Sequence, residues 1–365
     1  MRFPSKGIIE DTRHTWAEIV QQPNIWPTTP DRVAKAVEQF GLHEQNVLAR
    51  ILFTGAGTSA YAAAAVASSW PHAIAVPSTD LLVDTKRLVA DVTTVISIGR
   101  SGNSPESIAT VQRIHRYRPD IVQLAITCNA EGSLAQSPLV KSIVLDPRTD
   151  DKSLVMTSSF SNLVLAGYSL ADAPKIERLL PGACATASTH FAEMNGTAKR
   201  VASAVKDRIV MLCSSPLFPW AQEAALKVLE MTAGKYPSLA ETYLGLRHGP
   251  MSFLRPDTVV LCLLSNSAIR RRYELDLIEE LKKKGLGYLV AIGATAEEEP
   301  LFDELIPAIM PAGPDELRTP FEIIAPQLLG YHLSLRSGLD PDNPSLDGVI
   351  NRVVRGVTIY ADREV

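Results

Sequence analysis

An α/β fold made of two parallel, doubly wound units is what this 365-residue sequence predicts. Two observations carry that expectation. From residue 50 onward, short apolar runs of strand length alternate with helical stretches of ten residues or more, the pattern of a parallel sheet with helices on both faces. The cycle of strand, hydroxyl-rich turn and helix then begins again near residue 208, which favours two copies of one unit over a single large sheet.

The elements follow in order. Residues 10–46 read as helical, with a break at "QQPNIWPTTP", whose three prolines impose an extended or turning path between two helices. The first unit then runs through "ILFTG" and the Ala-rich helix 58–70, "HAIAVPS", "TTVISIG" and the helix 104–117, "IVQLAIT" with a short helix near 133, and "SIVLD" with the helix 155–170. Residues 173–198 are rich in alanine and polar side chains, a poor strand and a plausible connecting helix. The second unit reads "RIVMLCSS" and a helix at 217–234, "TVVLCLLS" and a helix at 268–284, "GYLVAIGA", "LIPAIMPA", and a long helix at 319–338. The expected divisions are an N-terminal helical segment 1–46, a first domain 47–198 including the connecting helix, a second domain 199–340, and a tail 341–365 that folds back near the site.

Composition narrows the function classes. A formal net charge of −4 gives no basic field for nucleic acid, and the densest basic clusters, Arg270–Arg272 and Lys282–Lys284, fall on one helical stretch as a solvated face. Cys128, Cys184, Cys213 and Cys262 are widely spaced without a CxxC, the pattern of buried free thiols in a reducing compartment. The N-terminus has no apolar signal core, and no apolar run reaches the roughly 20 residues of a membrane span. A soluble, cytoplasmic protein is expected. The seven histidines show neither HxH nor HxxxH spacing, so no metal and no cofactor are expected.

Two loops stand out. "FTGAGTSAYAA" and "SIGRSGNSPES" each follow a strand and open a helix, with glycines for close backbone approach and hydroxyls as donors. Ser104 stands at a helix start with Pro105 at the favoured first position. Helix N-termini present unpaired N–H groups and a partial positive charge, so such a loop is an anion site built without lysine. Each loop alone reads equally well as an ordinary cap and turn. Two of them at strand carboxyl ends in one unit favour a phosphate. "GAGTSA" lacks the dinucleotide spacing and no GK[ST] occurs, so the phosphate belongs to a small molecule. On the helix at 217–234, Glu223, Lys227 and Glu230 at i, i+4 and i+7 share one face, which is either catalytic or a solvated face with two ion pairs. His248 heads a turn constrained by Gly249 and Pro250.

These pieces together resemble the sugar isomerase (SIS) family of phosphosugar-handling proteins over roughly residues 10 to 360. "GAGTSAYA" and "RSGNSPES" resemble its phosphate loops, and "EAALKVLE" with "RHGP" resembles the isomerase half of glucosamine-6-phosphate synthase. "TWAEIVQQP", "GRSGNSPES", "LRHGP" and the tail "DPDNPSLDGVINRVVRGVTIY" are most similar to the galactosamine-6-phosphate deaminase/isomerase branch. The resemblance implies two SIS domains, each a parallel flavodoxin-like sheet. It implies that Gly57, Thr58, Ser59, Ser101 and Ser104 hold the phosphate, and that Ser158 and Ser159 lie in a further substrate loop. Glu230 would be the base at C2, supported by Glu223 and Lys227. His248 would open the sugar ring, reaching in from the neighbouring subunit of a homodimer or larger assembly. Two positions depart from the synthase. Arg100, after Gly99, could add a contact to phosphate or lie at the surface. Arg355 stands where the synthase has a lysine; a guanidinium cannot form a Schiff base, and the residue either folds over the site as a substrate contact or lies outside it. With no N-terminal cysteine amidotransferase domain, glutamine-dependent ammonia transfer is not expected, which leaves the degradative direction.

The expected reaction is therefore deamination of galactosamine 6-phosphate to tagatose 6-phosphate, with glucosamine-6-phosphate deamination or aldose–ketose isomerisation as alternatives sharing the same base and intermediate. A phosphosugar-sensing regulator is the reading of another class. Such regulators usually carry a DNA-binding helix-turn-helix, and residues 1–46 are too short and not basic enough for one.

Overall fold

The computed structural model describes residues 11–42 and 50–361. Residues 1–10 and 43–46 of the expected N-terminal segment, 47–49 of the first domain and 362–365 of the tail lie outside the described residues. The chain forms two compact units, one of residues 25–178 with the tail from Ser345, the other of residues 179–344 with the chain before Ile25.

α1 (His14–Ile25) belongs with the second unit and α2 (Thr28–Phe40) with the first. The first unit holds a five-stranded sheet of β1 (Ile51–Thr54), β2 (Ile74–Ala75), β3 (Thr94–Gly99), β4 (Val122–Thr127) and β5 (Lys141–Val144), ordered β2-β1-β3-β4-β5. Every pairing is parallel, with Thr54 beside Ser97 where β1 and β3 adjoin. The crossovers are α3 (Thr58–Ser69), α4 (Ser78–Val83) with α5 (Thr85–Leu88), and α6 (Pro105–Tyr117). Strand residues such as Phe53, Val95, Ile96, Leu124 and Ile126 are wholly or almost wholly buried, as a sheet covered on both faces requires. α7 (Ser158–Ala204) follows and is broken at Asp172, which leaves helical geometry with φ −157° and ψ 77°.

The second unit repeats the plan. β6 (Ile209–Cys213), β7 (Ser238–Thr242), β8 (Val259–Leu263), β9 (Tyr288–Ile292) and β10 (Glu304–Ile306) form a parallel sheet ordered β10-β9-β8-β6-β7. Its helices are α8 (Phe218–Met231), α9 (Tyr243–Leu246), α10 (Ala268–Lys283), α11 (Thr319–Glu322) and α12 (Ile324–Arg336). Val210, Leu212, Val260, Cys262, Leu277, Ile278 and Leu281 form one buried cluster between β6, β8 and α10. Both sheets thus have the order 2-1-3-4-5, with the chain reversing direction between the first and third strands. The predicted architecture is the one observed.

Three features differ from the sequence expectation. The short helix expected near 133 is a run of turns, because the loop after β4 spends its backbone groups on the neighbouring loop, as with the Leu134 amide and the Gly102 carbonyl. β7 was not singled out, because "SLAET" is half-buried along its whole length at a sheet edge and lacks an apolar run. The units are also cut differently from the expected boundaries. In the first, Trp26 donates its indole N–H to Ser161 Oγ at 3.0 Å and Thr29 donates to Asn162 Oδ1 at 2.7 Å, which ties α2 to the start of α7. In the second, Trp16 packs against Phe191 and Tyr331 with ring centroids 5.8 and 5.4 Å apart, which ties α1 to the later part of α7 and to α12. Buried aromatic contacts, not sequence order, decide which unit each helix joins.

Candidate active site

In the first unit, β1 and β3 are adjacent and their following loops open at the reversal of strand order, where ligands of doubly wound sheets bind. Gly55 leaves β1, and a Cβ there would lie 2.6 Å from the carbonyl carbon of Ser59, so only glycine lets the loop turn this tightly. Gly57 precedes α3 with φ +56°, and its carbonyl accepts from the amide of Ala60 at 2.9 Å. Thr58 and Ser59 form the buried first turn of α3.

The loop after β3 is held by its neighbours. Ser101 Oγ accepts from the Asn103 amide at 3.2 Å, and Gly102 turns with φ +64°. Ser104 caps α6 in extended conformation, and its hydroxyl donates to Glu106 at 2.7 Å. A third loop, after β4, supports the one after β3: Asn129 Nδ2 donates to the Ser101 carbonyl at 3.2 Å, the Leu134 amide donates to the Gly102 carbonyl at 2.8 Å, and Asn103 Oδ1 accepts from the Ser133 amide at 2.9 Å. Sequence reasoning passed over Asn129 and Gly132, although "CNAEGS" has the Asn and Gly of a turn.

Arg100, open to either a phosphate contact or a surface position, does not lie at the surface. Its buried guanidinium donates to the carbonyls of Ser153, Val155, Leu154 and Arg352 at 3.0–3.2 Å. Arg352 in turn reaches the Asp151 carbonyl at 2.9 and 2.7 Å and the Asp150 carboxylate at 2.5 Å. This exchange clasps the tail to the 150–155 loop, and it went unnoticed in the sequence because the partners lie 201 to 252 residues apart. Ser158 and Ser159 are likewise engaged inside the protein. Both hydroxyls donate to Asp151 at 2.5 Å, and the amides of Thr157 and Ser159 donate to it at 2.8 Å, so a buried carboxylate caps α7. Arg355 is exposed.

In the second unit, the three charged residues of α8 come together. Lys227 Nζ lies 3.2 Å from Glu223 Oε1 and 2.5 Å from Glu230 Oε2. Glu223 and Lys227 are fully buried, while the Glu230 side chain keeps 23% of its exposure. A solvated face is thereby ruled out for the first two. Burial opposes the charge on Lys227, but the two carboxylates outweigh it and hold its pKa above the ordinary lysine value. The arrangement is a buried ion pair that fixes one surface carboxylate. His248 is exposed in the turn after α9, its amide bonded to the Gly245 carbonyl at 2.9 Å and followed by Gly249 at φ +124°. No hydrogen bond joins its ring to the α8 trio among the described residues. The adjoining Arg247 anchors the turn to Glu280 at 2.7 Å and Asp276 at 2.8 Å.

Among the described residues, no group of three or more His, Cys, Asp or Glu could hold a metal, and no helix is long and apolar enough to cross a membrane. All four cysteines are free thiols.

A D-galactosamine-6-phosphate deaminase AgaS of Shewanella sp. strain ANA-3 is 36% identical over 95% of this chain and 91% of its own. The chain belongs to the AgaS family. The family profile of the SIS domain matches residues 46–173. The D-galactosamine-6-phosphate deaminase AgaS of Escherichia coli is 32% identical over 95% of this chain and 96% of its own. The crystal structure of tagatose-6-phosphate ketose/aldose isomerase from Escherichia coli superposes with a TM-score of 0.87, at 28% identity, over 96% of this chain and 98% of that one. This AgaS-family member thus has the two-unit SIS-type architecture over the 96% of its length that superposes.

Proposed function

We propose that this AgaS-family protein is an enzyme that converts galactosamine 6-phosphate and water into tagatose 6-phosphate and ammonia. The observation that carries the reading is the buried Lys227–Glu223 pair, which presents a single Glu230 carboxylate at the protein surface. The AgaS relatives support the choice of substrate. The phosphate is held by Ser101, Ser104 and the first turn of α3 at Thr58 and Ser59, with Gly57 allowing close approach. Binding energy from the phosphate, spent far from the reacting carbon, serves the chemistry.

The residues divide the work as follows. The pyranose opens when one proton moves between O5 and O1, a transfer suited to an imidazole near neutral pH, and His248 is assigned to it. The free aldehyde acidifies the C2 proton. Glu230 removes that proton and returns it to C1, which leaves a hydroxymethyl group at C1 and an imine at C2. Water adds to the imine carbon, ammonia leaves, and the ketose phosphate remains. Lys227 holds the Glu230 carboxylate in place, and Glu223 compensates the buried ammonium. The protein acts as a homodimer in the reducing cytoplasm, with His248 supplied by the neighbouring subunit, consistent with its exposed ring.

Incubation with galactosamine 6-phosphate and with glucosamine 6-phosphate, followed by assay of released ammonia, tests the proposal. Ammonia from the galacto epimer is expected. Release from neither removes the deaminase reading, and interconversion of amine-free aldose and ketose phosphates would then establish an isomerase like the Escherichia coli tagatose-6-phosphate ketose/aldose isomerase. Binding without any turnover would establish a sensor.

A further inference from the structure

The two units repeat one topology, so each has a loop after its third strand. In the first unit that loop is Ser101–Ser104, in the second Ser265–Ser267. Their local geometry matches. Ser101 Oγ accepts from the amide two residues on at 3.2 Å, and Ser265 Oγ accepts from the amide two residues on at 3.0 Å. A serine then caps the following helix in extended conformation, Ser104 in one case and Ser267 in the other.

What lies on the loops differs. Among the described residues, no carboxylate bonds to Ser101 Oγ or to the Gly102 amide. In the second unit Asp315, only 3% exposed, fills the equivalent position. Its Oδ2 accepts from the Ser265 hydroxyl and from Arg270 Nη1 at 3.0 Å, and its Oδ1 accepts from the Asn266 amide at 2.9 Å and from Arg318 Nη1 at 3.1 Å. Arg318 is fully buried and is itself fixed by the Leu264 carbonyl at 2.7 Å and by Glu322 at 3.5 Å. One backbone amide, one hydroxyl and two guanidinium groups converging on two oxygens at the start of a 16-residue helix is an oxyanion site. Asn266 pins the segment that delivers the carboxylate, donating to the Met310 and Gly313 carbonyls at 3.0 and 2.7 Å. A cavity of about 750 Å³, lined by Ser265, Asn266, Arg271, Gly293, Thr295 and Glu298 among others, adjoins the loop.

We propose that the loop at 264–267, whose Ser265 amide is already taken by the buried Glu274 at 2.8 Å, is a second oxyanion site of the fold, able to take inorganic phosphate, which the chain keeps occupied with its own Asp315 carboxylate. The internal ligand restricts each chain to one phosphate cradle. That restriction rests on the phosphate role proposed for Ser101 and Ser104, whereas the occupied site in the second unit stands on its own contacts.

The experiment compares full-length wild type, Asp315→Ala and Asp315→Ala/Arg270→Ala for binding of inorganic phosphate by equilibrium dialysis, with chloride matching the ionic strength. The single variant is expected to bind one phosphate per chain more than wild type. Removing Arg270 should weaken that additional binding by about tenfold, the loss of one charge-assisted contact. The melting temperature of Asp315→Ala should rise with phosphate by more than that of wild type. If Asp315→Ala yields little folded protein, refolding in phosphate is expected to restore it and refolding in chloride is not. Equal stoichiometry in variant and wild type, or a variant that phosphate fails to rescue, overturns the proposal. The wild-type stoichiometry reports separately on the first unit, so failure there is distinguishable from failure here.

Discussion

Replacing Lys227 by methionine removes a buried cation in contact with a carboxylate that water cannot reach. Glu223 and Lys227 are both fully buried and 3.2 Å apart. At that distance and an effective dielectric near 20, the attraction is about 5 kcal/mol, set against a desolvation cost of several kcal/mol for each ion. The net value of the pair is therefore small, but deleting one partner strands the other. The expected loss of stability for Lys227→Met is about 3–5 kcal/mol. Glu223→Gln/Lys227→Met, which leaves no charge in the interior, should recover a large part of that loss. Trp220 lies on the same helix and is fully buried, so urea unfolding followed by tryptophan fluorescence reports on this part of the chain. Turnover in Lys227→Met should fall by about 100-fold or more even under conditions where the chain is folded, because Glu230 loses the group that positions it. A loss below about 1 kcal/mol, or a double mutant as destabilised as the sum of the singles, would refute the assignment of α8 as a buried clamp behind a surface base.

Three further outcomes are expected. Mixed and reassembled Glu230→Gln and His248→Asn chains, each inactive alone, should regain turnover at up to about a quarter of the sites if the histidine crosses a two-fold interface; no recovery would place both groups within one chain. Gly132→Ala puts a Cβ 2.2 Å from the Ser101 carbonyl oxygen and must displace that loop, so KM for the sugar phosphate should rise while kcat changes little, with about 1–3 kcal/mol of destabilisation by urea titration. His332 is held at a pKa of about 4 by burial and by the Lys199 charge, below the ordinary 6.5, with Nε2 2.7 Å from Asn195 Oδ1. Between those values the unfolded chain takes a proton that the folded imidazole refuses, so stability is full above the unfolded pKa and falls as pH drops toward the folded one. The loss is at most about 3 kcal/mol. His332→Gln should flatten that part of the profile of urea midpoint against pH.

Much of this protein was legible without coordinates because it is local. Strand–helix alternation, the glycines and hydroxyls at strand ends, and the spacing of Glu223, Lys227 and Glu230 are properties of short stretches, and backbone periodicity converts each directly into structure. The same local signals could not say whether the α8 charges faced water. That depended on what the fold packs over them, and burial turned a surface-like pattern into a clamp.

The sequence by itself determined two parallel doubly wound units, two anion-type loops in the first, and a shared face of charged residues on one helix of the second. Only the tertiary structure decided where the side chains spend their hydrogen bonds. The resemblance puts Ser158 and Ser159 in a substrate loop and leaves Arg100 open between phosphate and surface, yet these side chains bond to Asp151 and to carbonyls within the protein. Asp315, unmarked in the sequence, closes an anion site 45 to 50 residues before it. The physical reason is that a donor takes whatever acceptor the fold brings within about 3 Å once water is excluded, and chain separation leaves no trace of that meeting in local composition.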